Sequence, residues 1–435
     1  MKRTLLLDLP ALSSRLLDAL PADRRPAWLN TLIARGRAVL QPPLPAVTMT
    51  VQATLATGTP PEVHGIIANG LPTYRLPDTH TLLDTDSFAD YRRNVAFWEQ
   101  SADLVQAPRF WETRPCRVAM ICVQSSIGAA DVVVTPKPTH TPDGRTVPDC
   151  WTAPASLNDE LKAKIGPLPL MHYWGPLANI KSSQWIAAAA EHVWQHHPVD
   201  LQWVYVPHLD CDAQRLGPGD PKLVDELFAV LNVITPLVEL AERDGARVVL
   251  FSEYGMTNVN RSFAPNVLLR HAGLLTTQPL AASRSTEIDF AKTPAFALCD
   301  HQVAHIYCRD APTTERADQL FRQLPGVKIT TSGGPRAGDL VLYAPEDAWF
   351  EYRWWDDWTQ APDYAWSVDI HRKPGYDPTE LFFDPATRRI RADQPRWVKG
   401  SHGSLPADQR DWPVLLGVEN APAVLHATSV ASLLQ

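Results

Sequence analysis

Short apolar runs and longer amphipathic stretches take turns through the first two-thirds of the chain. Thr4–Leu7, Arg117–Val123, Asp131–Val134, Leu201–Val206 and Ala246–Phe251 are largely apolar runs of strand length. Runs without alternation suit strands covered on both faces, as in a parallel sheet. Between them lie helical patterns. Arg24–Arg37 is opened by Pro26, Val47–Ala56 is a small-residue stretch closed by Thr57-Gly58, Gln184–His196 reads as a helix, and Pro221–Arg243 as a long amphipathic one. Strands alternating with helices predict βαβ units, and so an α/β fold: a three-layer α/β/α sandwich with a mainly parallel sheet.

After about Leu274 the texture changes. Gln302–Cys308 and Asp339–Tyr343 read as short strands around a helical Thr314–Leu324, and an aromatic, acidic stretch follows. This predicts an inserted α+β cap over residues 275–370. The core is expected from residues 1–274 and 371–435, the tail from Leu381 to Gln435 returning to it.

Composition narrows the function. The chain has 435 residues, 45% apolar and 20% charged, values of an ordinary globular protein. A net charge of −8 speaks against a binder of nucleic-acid polymers, which carries a basic surplus. Most of that charge is local. Residues 345–369 hold Glu346, Asp347, Glu351, Asp356, Asp357, Asp363 and Asp369 against one base, Arg353. A small anionic substrate therefore remains compatible with the rest of the chain. Forty prolines point to rigid, ordered loops.

The opening Met1–Leu7 is basic then apolar, but Asp8 and Pro10 break it short of the roughly 7–15 apolar residues of a signal segment. No stretch reaches the roughly 18 apolar residues of a membrane span. Six scattered cysteines form no CxxC pair, which suits reduced thiols. The expectation is a cytoplasmic protein without a membrane partner; a homodimer is left open.

Functional residues of parallel sheets gather beyond the carboxyl ends of strands. Asp8, Asp210 and Glu253 each end or follow an apolar run, and His402 sits in Gly400-Ser401-His402-Gly403. Carboxylates converging with an imidazole suggest a divalent metal site; capping carboxylates and a hydrogen-bonded loop histidine are the structural alternative. Thr48 or Thr50 would begin a helix, either as a plain N-cap or as a hydroxyl nucleophile favoured by the positive helix end. The cluster His371, Arg372 and Lys373 reads either as a solvated loop or as a clamp for an anion. Aromatics from Trp349 to Trp366 read as cap core or as a stacking surface.

These blocks resemble the alkaline phosphatase superfamily, in the branch of type I phosphodiesterases and nucleotide pyrophosphatases that includes phosphonoacetate hydrolase. Asp8 matches that family's strand-end metal ligand. Counting back from Thr57-Gly58 places Thr48 on the threonine nucleophile, with Thr50-Val51-Gln52 where the family has P-N-H. Pro61-Glu62-Val63-His64-Gly65-Ile66 matches the next block, and Asn69 falls on the asparagine that binds phosphoryl oxygens. Asp210 matches a further ligand, but Gln214 stands where the family has histidine. Ser252-Glu253-Tyr254-Gly255-Met256 replaces S-D-H-G-M, and His402 matches the last histidine.

The resemblance implies a metal-dependent hydrolase of a phosphodiester, pyrophosphate or phosphonate, working through a phospho-threonine. One ion would be held by Asp8, Thr48, Glu253 and Tyr254, the other by Asp210, Gln214 and His402. Fewer imidazoles shift preference from Zn towards Mn or Mg, or leave one ion instead of two. His208 and His371 are alternative ligands. A member that has lost hydrolysis and binds a ligand or partner is the second reading.

Overall fold

The computed structural model describes residues 2–72, 95–140, 146–280, 284–370 and 372–435. Its centre is a nine-stranded sheet. The strands run, from one edge, Val424–His426, Arg37–Gln41, Val414–Leu416, Arg247–Phe251, Thr4–Asp8, Leu201–Tyr205, Val118–Ile121, Val132–Pro136 and Cys150–Ala153. The five from Arg247–Phe251 to Val132–Pro136 are mutually parallel. Antiparallel pairings flank them on both sides. The apolar runs are therefore central strands, and helices pack over the sheet around one large core.

Several boundaries moved. The pattern predicted as Arg24–Arg37 forms a helix only over Ala27–Arg35, and Arg37 already opens a strand that pairs with Val414–Leu416. Gly36 ends the helix, and its Cα lies so close to the Val418 carbonyl that a side chain would collide. The long helix runs Lys222–Arg243 with Pro236 inside it.

A second, four-stranded sheet is built from Ala295–Asp300, Val303–Cys308, Leu340–Tyr343 and Lys328–Thr330, with the helix Ala311–Phe321 started by an Asp310 cap. Ala295–Asp300 was not anticipated as a strand; it forms a hairpin with Val303–Cys308. The aromatic stretch is core. Trp354 and Trp355 are 1% exposed with rings edge-to-face at 4.9 Å, so they offer no stacking platform. Its acids are compensated by cations from elsewhere: Asp347 by Arg261 and Asp356 by Arg270 and His271.

Candidate functional site

Strand register explains why distant carboxylates meet. Asp8 lies beside both Tyr205 and Phe251, so the chain leaving those strands delivers Asp210 and Glu253 to the edge where Asp8 ends. Asp210 sits on the helix His208–Leu216. Gly400 lies against the Ala213 carbonyl of that helix, where any Cβ would clash, and this approach brings His402 in.

Thr48 is the first residue of the helix Thr48–Thr57, but Val47 takes the cap position. The Thr48 hydroxyl is thus free of capping and lies 3.0 Å from the Tyr254 hydroxyl. Capping comes from outside: Asn69 Oδ1 accepts the Met49 N–H at 3.0 Å, satisfying a donor that the first turn leaves without an intrahelical partner. Thr50 is buried as well, and its hydroxyl points to no partner.

The site has two halves. In the first, Gln52 Nε2 donates to Glu253 Oε1 at 2.6 Å and to Asp8 Oδ2 at 3.2 Å, and Trp203 Nε1 also donates to Asp8 Oδ2 at 3.2 Å. The Gln52 carbonyl accepts the Gln124 N–H at 2.8 Å, which orients the amide. Asp8 Oδ1 and Glu253 Oε2 are left without a donor. Burial pushes Asp8 up to about 7, and burial together with the Asp8 charge lifts Glu253 well above the carboxylate range. Two facing, buried carboxylates cannot both ionise unless a cation joins them.

In the second half, Asp210 accepts from Gln214 Nε2 at 2.8 Å and from the Tyr254 hydroxyl at 3.3 Å. Gln214 is oriented by Tyr376, whose hydroxyl donates to its carbonyl at 2.9 Å. His402 Nδ1 donates to the Ala46 carbonyl at 2.8 Å, so its Nε2 lone pair faces Asp210 Oδ1 at 3.6 Å. Burial raises Asp210 to about 7 and holds His402 neutral, well below its usual range. Tyr254 stacks on His402 at 3.6 Å, His402 meets His301 at 3.9 Å with the rings tilted by 36°, and His301 stacks on Tyr376 at 3.6 Å.

The sequence-predicted residues Asp8, Thr48, Asn69, Asp210, Gln214, Glu253, Tyr254 and His402 thus come together. Others do not. His208 was expected to share a face with Asp210 on a strand, but both lie on a helix, where residues two apart diverge. Its Nε2 pairs with Glu226 at 2.8 Å instead. Lys373 is 2% exposed and bonded to Asp377 and Glu380 at 2.8 and 2.7 Å. Arg372 is held by Asp369 and Asp363 at 2.6 and 3.1 Å. Lys373 is thus taken up inside the fold, where it ties together the turn that carries Tyr376, and Arg372 lies in surface pairs. His371 lies outside the described residues.

Sequence reasoning missed Gln52, Asp300, His301 and Tyr376. Gln52 had a signal: it stands where the family's P-N-H has histidine, as Gln214 and Tyr254 stand in for histidines elsewhere. Asp300 and His301 had none. They form the hairpin turn of the second sheet, where Asp300 accepts from the Asn69 backbone at 2.7 Å, its side chain at 3.2 Å and His301 Nδ1 at 2.7 Å.

The donor sets decide what each half can hold. The first offers two carboxylate oxygens without partners and the Thr48 hydroxyl beside them, a set that fits a hard divalent ion completed by water or substrate oxygens. The second offers Asp210 Oδ1 and His402 Nε2 alone, because Gln214 turns its carbonyl to Tyr376. Two ligands do not fit a zinc site, which takes three or four from the protein. Among the described residues, no helix is long and apolar enough to cross a membrane.

No curated protein matches the sequence. Solved structures do match in fold. The murine ectonucleotide pyrophosphatase / phosphodiesterase 5 aligns over 100% of this chain and 94% of its own, with a TM-score of 0.58 and 14% identity. Its human counterpart aligns over the same shares, at 0.59 and 13%. Phosphonoacetate hydrolase from Sinorhizobium meliloti 1021 in complex with phosphonoformate covers 99% of this chain and 94% of its own, at 0.57 and 16%. The family model for type I phosphodiesterase / nucleotide pyrophosphatase matches residues 4–377, most of the chain. By that match the chain belongs to the type I phosphodiesterase / nucleotide pyrophosphatase family of hydrolases.

Proposed function

We propose that the chain hydrolyses a small phosphodiester, pyrophosphate or phosphonate by way of a covalent phospho-threonine at Thr48. The supporting observation is the Thr48 hydroxyl, uncapped at a helix N-terminus and set among Tyr254, Glu253 and Asn69. Its oxygen attacks phosphorus, and the bond from phosphorus to the leaving group breaks. Water then attacks the phospho-threonine and returns the free hydroxyl. The helix N-terminus favours the incoming anion. Asn69 Nδ2 gives one hydrogen to Asp300 and has a second for a phosphoryl oxygen. Asp8, Glu253 and Thr48 would hold one divalent ion, Mg or Mn by donor class or Zn by family habit, which supplies a lowered Thr48 pKa. Among the described residues no disulfide is formed, which supports a reducing, cytoplasmic setting.

One observation favours a second reading, a member that binds its ligand without turning it over. Thr48, Asn69, Tyr254 and His402 are each 2% exposed or less. The Thr48 hydroxyl is engaged by the Tyr254 hydroxyl at 3.0 Å, a contact that a reacting substrate has to replace. The test is bound-metal analysis with a panel of phosphodiesters, pyrophosphates and phosphonates, with Mg, Mn or Zn and after chelation. Turnover abolished by Thr48→Ala supports hydrolysis; tight binding of the same compounds without turnover supports the second reading.

A further inference from the structure

On the opposite flank of the fold, the helices Ser156–Ile165 and Ile180–His196 bring together a set of side chains that the candidate active site does not use. His192 and His196 are four residues apart, and this spacing puts both on one face of the last turn. Their rings lie 4.6 Å apart. His197 takes the C-cap, and its ring is 6.1 Å from that of His192. From the neighbouring helix, Glu160 Oε2 reaches His192 Nε2 at 3.3 Å and His197 Nε2 at 3.0 Å.

Those separations carry chemical information. Zinc–nitrogen and zinc–oxygen bonds of about 2.0–2.1 Å on a tetrahedron set neighbouring ligand atoms about 3.3 Å apart. The two Glu160–imidazole distances have that spacing, and the three ligand atoms all lie within 4.8 Å of one another. The other Glu160 oxygen accepts the Ser156 hydroxyl at 3.2 Å, the outer hydrogen bond that commonly orients a metal-bound carboxylate. His192 and His197 are 13% and 16% exposed and Glu160 is 38% exposed, so an ion can enter from solvent. The second three-residue group of this kind, His208, Asp212 and Glu226, differs in one respect: Arg215 sits on Asp212 at 2.9 Å. A guanidinium there supplies the positive charge that an ion would bring. Among the described residues, no Lys or Arg pairs with Glu160, whose partners are the two imidazoles and Ser156.

We propose that Glu160, His192 and His197 form a binding site for a borderline divalent ion of the zinc class, with water completing the fourth position. Two imidazoles and a carboxylate select such ions over magnesium or calcium. The ion would tie the helix beside the Cys150–Ala153 edge strand to the end of the helix Ile180–His196. It would thereby close a long loop of chain, and closing such loops is how a metal clip stabilises a fold.

The test uses the full chain, stripped of metal and titrated with Co²⁺ as a spectroscopic stand-in for zinc. The expected result is ligand-field absorption of a four-coordinate ion that saturates at one equivalent and is removed by Zn²⁺. That absorption persists in Asp8→Asn with Asp210→Asn, which separates it from the candidate active site. It is lost in His192→Ala with His197→Ala and weakened in Glu160→Gln. Zn²⁺ raises the Tm of the first variant, and no longer does so once His192→Ala and His197→Ala are added to that variant. Absence of the absorption in the unaltered chain, or its survival without His192 and His197, overturns the proposal. Circular dichroism of the metal-free variants confirms that loss of signal is not loss of fold.

Discussion

The two halves of the candidate active site began from one pattern and differ in how their buried charge is handled. Around Asp210, each carboxylate oxygen meets a neutral donor, from Gln214 or Tyr254. Around Asp8 and Glu253, Gln52 serves one oxygen of each, and the remaining pair has none. A buried acceptor without a donor costs roughly 1–3 kcal/mol, more when charged. The first half is therefore unfinished without a cation or a shared proton, whereas the second is already closed. Replacing an imidazole with a glutamine amide or a phenol substitutes a hydrogen-bond donor for a ligand. The loss of histidines removes ligands from both halves, but only the second gains enough donors to be satisfied without an ion.

The largest test of this difference is at the atom both halves share. Thr48→Ala is expected to lower kcat by about 10³-fold or more if Thr48 is the nucleophile, read in a phosphodiester assay. Since Tyr254 contacts Thr48 from the second half, Tyr254→Phe should lower kcat by about 10-fold and leave metal content unchanged. An equal loss of metal in that variant would break the distinction.

Metal content itself separates the halves. Asp8→Asn should abolish tight Mg²⁺ or Mn²⁺ binding measured by calorimetry, while Asp210→Asn keeps one ion per chain at the active site. Conversely, Gln214→His with Tyr254→His should add a zinc ion to the second half, because three or four protein ligands complete a zinc site. Zinc uptake equal to that of the unaltered chain would show that the second half is closed for reasons beyond its ligand set. Each of these titrations is run in the His192→Ala, His197→Ala background, so that ions on the helix pair do not enter the count.

The central strands were readable because parallel strands buried on both faces leave uninterrupted apolar runs, as at Leu5–Leu7 and Val248–Phe251. Arg37–Gln41 was not, because this flanking strand alternates buried and half-buried positions and follows directly on a helix. At the site, Asp8, Thr48, Asp210 and His402 were found through motif spacing, which local geometry conserves. Lys373 misled because charge in sequence does not show its partners; two acids only a few residues onward neutralise it. Asp300 and His301 were invisible, since a hairpin from the second sheet reaches the site by tertiary packing alone.

The smallest expected effect is a control that should treat both halves alike. His64 lies beneath the helix that begins at Thr48. Its Nδ1 accepts the Ile66 N–H at 3.1 Å, so Nε2 carries the proton and faces the Thr54 hydroxyl at 2.9 Å. Burial drives its pKa down to about 3. Unfolded, the imidazole takes up a proton below its ordinary value of about 6.5; folded, it stays neutral until about pH 3. The unfolded chain then binds more protons between those values, so this group's contribution is complete above about pH 6.5 and falls on acidification. The steepest slope is about 1.4 kcal/mol per pH unit. Urea unfolding from pH 7.5 to 4.5 should show a shallower acid loss in His64→Gln than in the unaltered chain. Because His64 supports the helix and not either carboxylate cluster, the same variant should leave the metal stoichiometry of both halves unchanged; a selective loss from one of them would mean that the helix, and not the ligand set, makes the halves differ.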